Sequence, residues 1–146
     1  MRVIALAAAS LLALVACSQG VDDSRPPAEV AAPPVLAGID LNQPLRAVGT
    51  EPFWGLEITP QALSWSGVDQ AVQTAANPGP AMQGTTAVWR TETAGGTLLV
   101  LTLIATECSD GMSDRTYPLT ARVELGDQSF NGCAASQAFF DAAPKP

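Results

Sequence analysis

The segment CSDGMSDRTYPLTARVELGDQSFNGC, residues 108–133, carries the strongest structural signals in the chain. From Tyr117 onward, apolar residues occupy every second position, and polar residues such as Arg122 and Glu124 occupy the positions between them. A period of two is typical of a β-strand with one face in a core and the other toward solvent. We therefore predict a half-buried strand with these residues on its apolar face: Tyr117, Leu119, Ala121, Val123 and Leu125.

A two-residue hairpin turn, Gly126-Asp127, follows this strand. Glycine at the first central position permits the positive φ that a type II′ turn requires. The turn sets the register of the returning strand, so that Leu125 is expected opposite Gln128.

The same register predicts a disulfide. It places Thr120 opposite Cys133, on the face that carries Arg122, so the Cys133 side chain points away from the main core. From that face the sulfur can reach back to Cys108. We predict a Cys108–Cys133 disulfide that pins the Ser109 to Arg115 loop across one edge of the sheet, with a stabilisation of roughly 3 to 4 kcal/mol.

The amino terminus has the pattern of a targeting segment. Arg2 precedes an apolar run over residues 3–16 that only Ser10 interrupts. At about 1.5 Å per residue, this run is too short to cross a hydrocarbon core of roughly 30 Å. It predicts a signal peptide over residues 1–16.

The end of this segment, Leu-Val-Ala-Cys17-Ser18, resembles the lipobox of bacterial lipoproteins. The resemblance implies that Cys17 is acylated, with chains such as palmitate, and becomes the first residue of the mature protein. The alternative is an ordinary signal peptide with a chance cysteine. Ser18 resembles the sorting pattern for the outer membrane, which implies a lipid-anchored protein of the bacterial cell envelope that faces the periplasm. Lipidation of Cys17 leaves Cys108 and Cys133 for each other in an oxidising compartment.

Beyond the lipobox, composition separates a tether from a folded domain. Residues 17–38 are rich in proline, alanine and small polar residues, which predicts a disordered tether. Residues 39–146 contain short alternating segments between glycine and proline turns. They predict an all-β domain, a small antiparallel barrel or barrel-like sandwich of about seven or eight short strands. Trp54 and Trp65 fall on one face of a predicted hairpin, which favours core packing over a ligand-stacking platform.

Two groups of motifs carry a family resemblance. Residues 49–54, GTEPFW, together with CSDGMSDRTYP at 108–118 and NGCA at 131–134, resemble a family of small bacterial envelope lipoproteins of unassigned function. The resemblance implies location and fold but no activity. Ser113 to Tyr117 is more loosely similar to the Ser-Gly-x-x-Tyr loop of membrane-bound inhibitors of c-type lysozyme, although Asp114 stands where that loop has glycine.

The loop after Cys108 allows several functions. As a recognition loop, it would offer these residues to a protein: Asp110, Ser113, Asp114, Arg115 and Tyr117. As a calcium site it would have too few oxygens, and its spacing fits no EF-hand. A catalytic carboxylate pair, with Glu51 or Glu57, would need one raised pKa. The remaining interpretation is structural: Asp and Ser side chains cap backbone N–H groups, and Arg115 pairs with a nearby acid.

Composition and net charge indicate which classes of partner the protein can bind. The net charge of −7 argues against nucleic acid and favours a basic partner such as lysozyme. The chain has no histidine and no glycine-rich phosphate loop. We therefore expect a non-enzymatic protein without cofactor or metal, anchored to the membrane through Cys17, with a possible protein or cell-wall partner. The alternative is an inhibitor of c-type lysozyme that acts through the Ser113 to Tyr117 loop.

Overall fold

The structure of the protein is a computed structural model that describes residues 32–142. The predicted signal peptide, Cys17 and the tether up to residue 31 lie outside the described residues. Within residues 32–142 no helix has both the length and the apolar character needed to cross a membrane. The described residues form 13 β-strands and one short helix. These are β1 Val35–Leu36, β2 Ile39–Asp40, β3 Leu45–Thr50, β4 Phe53–Ile58, β5 Ala62–Gly67, β6 Gln73–Ala76, β7 Ala81–Gln83, β8 Thr86–Glu92, β9 Leu98–Ile104, β10 Cys108–Ser109, β11 Thr116–Tyr117, β12 Leu119–Leu125, β13 Gln128–Ser136 and α1 Gln137–Asp141.

Nine of these strands form one antiparallel sheet in the order β6-β5-β4-β3-β13-β12-β9-β8-β7. The sheet curls until Ala75 of β6 forms a bridge with Thr93, the residue after β8. Two further pairs, β1 with β2 and β10 with β11, form separate two-stranded hairpins. The architecture confirms the predicted small, barrel-like, all-β fold.

Alternation along the strands builds the interior. In β3 and β4, every second side chain is buried, and the opposite positions face outward. Trp65 is fully buried and Trp54 is 5% exposed, so both tryptophans belong to the core, as predicted. The Phe130 ring lies 5.2 Å from the Trp65 ring and 6.2 Å from the Trp54 ring, in tilted arrangements. Such aromatic pairs stabilise a fold by more than the burial of their apolar area alone.

The pairing of β12 with β13 is the one that the sequence predicts. Leu125 is opposite Gln128, and Thr120 is opposite Cys133. At the turn, Gly126 has a positive φ of 59°, whereas the φ of Asp127 is not positive. A single positive φ at the first central position is the property of a type II′ turn.

The folded part begins before Ile39, the predicted boundary of the tether. Leu36 lies in β1, opposite Ile39, and is only 3% exposed. Leu41 is also buried, and its N–H donates to the Pro34 carbonyl at 2.9 Å. The proline- and alanine-rich composition did not indicate this hairpin, because Leu36 is the only residue of β1 that is buried.

Candidate functional site

The candidate site is the disulfide loop, which we define as residues 109–116. Cys108 and Cys133 are bonded, with their Cα atoms 5.5 Å apart, which confirms the predicted pairing. Cys108 also pairs with Tyr117 across β10 and β11, so a hairpin and a covalent bond to β13 close the base of the loop together. Thr50 at the end of β3 donates its hydroxyl to the Asp110 carbonyl at 3.2 Å. These contacts hold the loop against the outside of the sheet.

A second apolar cluster lies between the disulfide loop and the outer face of the sheet. Cys133 is fully buried there, although it points away from the barrel interior as predicted. Tyr117 is 4% exposed and packs between Phe139 and Phe140, with ring centroids 5.5 and 5.7 Å away. Helix α1 brings both phenylalanines to this face, and the Ser136 hydroxyl caps it by accepting from the Phe139 N–H. Cys133, which the sequence placed on the face that points away from the main core, is therefore covered by this second cluster.

Asp110 organises the interior of the loop. Its Oδ1 accepts hydrogen bonds from the N–H groups of Met112 at 3.0 Å and Ser113 at 2.8 Å. Its Oδ2 accepts from the Ser113 hydroxyl at 2.8 Å and from the Tyr117 hydroxyl at 3.0 Å. Four donors on one carboxylate favour a single loop conformation, because each would otherwise need another acceptor.

These donors also set the acid–base properties of the loop. The pKa of Asp110 is lowered from 3.8 to about 2, chiefly by the Ser113 N–H, while partial burial acts in the opposite direction. Burial raises the pKa of Tyr117 above its ordinary value, and the hydrogen bond to Asp110 adds to this effect. At neutral pH, Asp110 is therefore a carboxylate and Tyr117 a neutral phenol. Neither is matched to proton transfer near pH 7.

Arg115 contacts the helix and not an acid. Its guanidinium donates to the Phe139 carbonyl at 2.8 Å and lies over the Phe139 ring at 4.6 Å. The structural interpretation of the loop predicted an ion pair for Arg115, and this detail is wrong, since the ion pair found within residues 32–142 joins Arg122 and Glu124. A carbonyl at the end of a short helix accepts the guanidinium because the last carbonyls of a helix lack intrahelical donors.

The predicted site residues thus divide into two groups. Asp110, Arg115 and Tyr117 are engaged inside the protein, whereas Asp114 is exposed and Ser113 is exposed apart from its bond to Asp110. Met112, which sequence reasoning missed, is 69% exposed on the same loop. An apolar side chain in an otherwise polar segment, directly after Gly111, was the available signal.

A cleft of about 400 Å³ lies beside Met112, with Glu51 and Asp110 among the residues that line it. Glu57 lies elsewhere, on β4 opposite Ser64, so the structure does not bring it to the loop. Within the described residues, no group of three or more histidine, cysteine or acidic side chains has the arrangement of a metal site. The arrangement at the loop can present a fixed surface, because its carboxylate is already committed to internal donors.

The fold and the site define a class: a small antiparallel β-barrel-like domain with a disulfide-braced surface loop. No protein-family model, curated protein or solved structure matches this chain.

Proposed function

We propose that this protein is a non-enzymatic binding module of the bacterial cell envelope. A lipid on Cys17 holds it at the periplasmic face of the outer membrane, and the disulfide loop contacts a protein or cell-wall partner. The proposal rests on one observation above all: Met112 is 69% exposed on a loop that the disulfide and Asp110 hold in place. An apolar side chain on a braced loop suits binding, because little conformational entropy remains to be lost on contact.

The chemistry of the exposed residues supports a protein partner. The thioether of Met112 is polarisable and adapts to irregular apolar surfaces. Asp114, two residues away, adds an exposed negative charge. An apolar contact with a charge at its rim is the usual arrangement of a protein interface.

The membrane anchor rests on the sequence and on the cysteine count. The disulfide accounts for two of the three cysteines, which leaves Cys17 for acylation. Acyl chains contribute about 0.8 kcal/mol per buried CH₂, so more than one chain on Cys17 would give stable attachment.

Site-specific photo-crosslinking in intact cells tests the binding role. A photoreactive phenylalanine analogue replaces Met112 in one variant and Asp127 in a matched control, since Asp127 is exposed in the turn between β12 and β13. We expect a discrete crosslinked product of higher mass from position 112 and none from position 127. Equal products at both positions, or none at either, would contradict the proposal.

Inhibition of a c-type lysozyme is a second candidate function for the same loop. The exposed Asp114 favours it, because a basic enzyme would be attracted to an acidic residue on a braced loop. The test is a lysis assay with the chain from Ser18 onward. Inhibition at micromolar protein that Asp114→Lys weakens would support this function, whereas full lysis at that concentration would exclude it.

A non-enzymatic role is supported by the state of the carboxylate at the loop. A catalytic acid or base needs a pKa near the working pH, and that of Asp110 lies far below neutrality, at about 2. Its two oxygens are also occupied by hydrogen bonds to the loop.

A further inference from the structure

A shallow groove of about 310 Å³ lies on the outer face of β3, β4 and β5, separate from the disulfide loop. We call it the Arg46 groove. The residues that line it include Arg46, Phe53, Gly55, Ser66, Gly67 and Val68.

The floor of the groove is almost free of side chains. Gly55 faces outward, because its neighbours Trp54 and Leu56 are buried in the barrel. Across the ladder it pairs with Ser66, whose hydroxyl donates to the Gly55 carbonyl at 3.4 Å. A Cβ built on Gly55 would meet its nearest neighbour, the Ser66 Oγ, at 3.5 Å, which is ordinary contact. The strand therefore has room for a side chain at this position and has none.

Two exposed apolar side chains form one end of the groove. Phe53 is 55% exposed and Val68 is 56% exposed. They are neighbours, since the N–H of Val68, the residue after β5, donates to the Phe53 carbonyl at 3.3 Å. A single exposed apolar residue is common on a protein surface. Here two of them are adjacent and lie beside the part of the groove that has almost no side chains.

Arg46 lies at the other end. Its guanidinium lies 5.4 Å from the centroid of the Phe140 ring, and within residues 32–142 no carboxylate lies within ion-pair distance of it. Its neighbour across the ladder, Glu57, does not pair with it, although their Cα atoms are partners. The chain has seven basic and 14 acidic residues, so an arginine without a carboxylate is not explained by a shortage of acids. Its charge is available to an anion from outside.

We propose that the Arg46 groove binds an extended peptide segment of a protein partner, with an apolar side chain against Phe53 and Val68 and a carboxylate on Arg46. Extended chains rise about 3.4 Å per residue. Arg46 is opposite Glu57, four residues beyond Phe53 on β4, so the level of Arg46 lies about 14 Å along the groove from Phe53. A C-terminal pentapeptide with a leading leucine has this spacing. Arginine suits the carboxylate because its planar guanidinium can donate two parallel hydrogen bonds.

The test uses the chain from Ser18 onward, which retains every residue of the described fold, with uniform nitrogen-15 labelling. The probes are acetyl-Leu-Ala-Ala-Ala-Ala with a free carboxylate and the same pentapeptide as an amide. We expect the acid to shift the backbone amide signals of Gly55, Ser66 and Gly67. The amide should bind about tenfold more weakly, because it loses the charged contact with Arg46.

Three variants make the result specific. Arg46→Gln should reduce the affinity for the acid to that for the amide. Gly55→Val should abolish the shifts, because the new side chain fills the floor of the groove. The variant should still fold, because β-branched residues favour strands. Arg90→Gln is the matched control, since Arg90 is exposed on β8, outside the groove. It should leave the affinity unchanged.

Several results would overturn the proposal. They are equal binding of acid and amide, shifts confined to other surfaces, no shifts at millimolar peptide, and an Arg46→Gln variant with unchanged affinity. Shifts of the groove signals with protein concentration alone, without peptide, would show that a second copy of the chain occupies the groove. The disulfide loop takes no part in this experiment, so its outcome is independent of the function proposed above.

Discussion

Asp110→Asn is the substitution that tests the loop most directly. It keeps the shape of the side chain and removes the charge that four donors contact. The pKa of Asp110 falls from 3.8 to about 2 on folding. At about 1.4 kcal/mol per pH unit, this difference sets an upper limit of about 2.5 kcal/mol on the stabilisation by the charge. Because the loop is partly open to solvent, we expect a loss of about 1–2 kcal/mol at neutral pH.

The sign of the pH dependence follows from the lowered pKa. A carboxyl group whose pKa is lower in the folded protein stabilises it above the unfolded pKa, and the stabilisation disappears as the pH falls through the folded pKa. The difference in free energy of unfolding between the native protein and Asp110→Asn should therefore be constant above about pH 5. It should decline between about pH 4 and pH 2, because the native carboxyl group becomes neutral as well.

Urea unfolding at a series of pH values, with the disulfide intact, measures this difference. Asp127→Asn is the matched control, since the Asp127 carboxylate has no hydrogen-bond partner within the described residues, and its difference should stay near zero throughout. A loss for Asp110→Asn that is the same at pH 7 and at pH 2 would refute the electrostatic explanation. A carboxyl pKa of Asp110 near 3.8 in an NMR titration would refute it as well.

Two further substitutions test the packing of the barrel and the bracing of the loop. Gly132→Ala should lose about 3 kcal/mol in urea unfolding, because a Cβ there would overlap the Val48 carbonyl oxygen and lie 2.8 Å from the Trp54 ring; Gly55→Ala, which has room, should lose none, and equal losses would contradict this packing. Replacing Cys108 and Cys133 by alanine should lose about 3–4 kcal/mol on the loop-entropy model and make residues 109–116 sensitive to protease at low denaturant. A double variant as stable and as resistant as the native protein would contradict the bracing role.

Local patterns were sufficient to predict the hairpin that carries the disulfide. Alternation from Tyr117 and the Gly126-Asp127 turn fixed the faces and the register, because a two-residue turn leaves one pairing of the flanking strands. Once the register was known, the face of Cys133 followed. The burial of Trp54 and Trp65 was predictable for the same reason, since a period of two assigns both to one face.

The interior of the loop was not predictable, because its partners come from distant parts of the chain. The Asp110 carboxylate is near the Tyr117 hydroxyl only because β10 and β11 pair. The Arg115 guanidinium donates to the carbonyl of Phe139 in α1, 24 residues away in sequence. Alternation placed Tyr117 on the strand of Leu119 and in the main core, and this was wrong: Tyr117 lies in the separate strand β11, and α1 and the loop build a second cluster around it. Such contacts depend on tertiary packing, which local patterns do not encode.

The assignment of the three sulfur atoms is the claim on which the envelope location depends, and one mass spectrum tests it. The protein is isolated from bacterial membranes without reduction, and its intact mass is measured before and after reduction. We predict a chain that begins at Cys17, carries acyl groups on that residue, and gains two hydrogen atoms on reduction as the Cys108–Cys133 bond opens. A mass that fits an unmodified Cys17, or free thiols at Cys108 and Cys133 before reduction, would contradict the account.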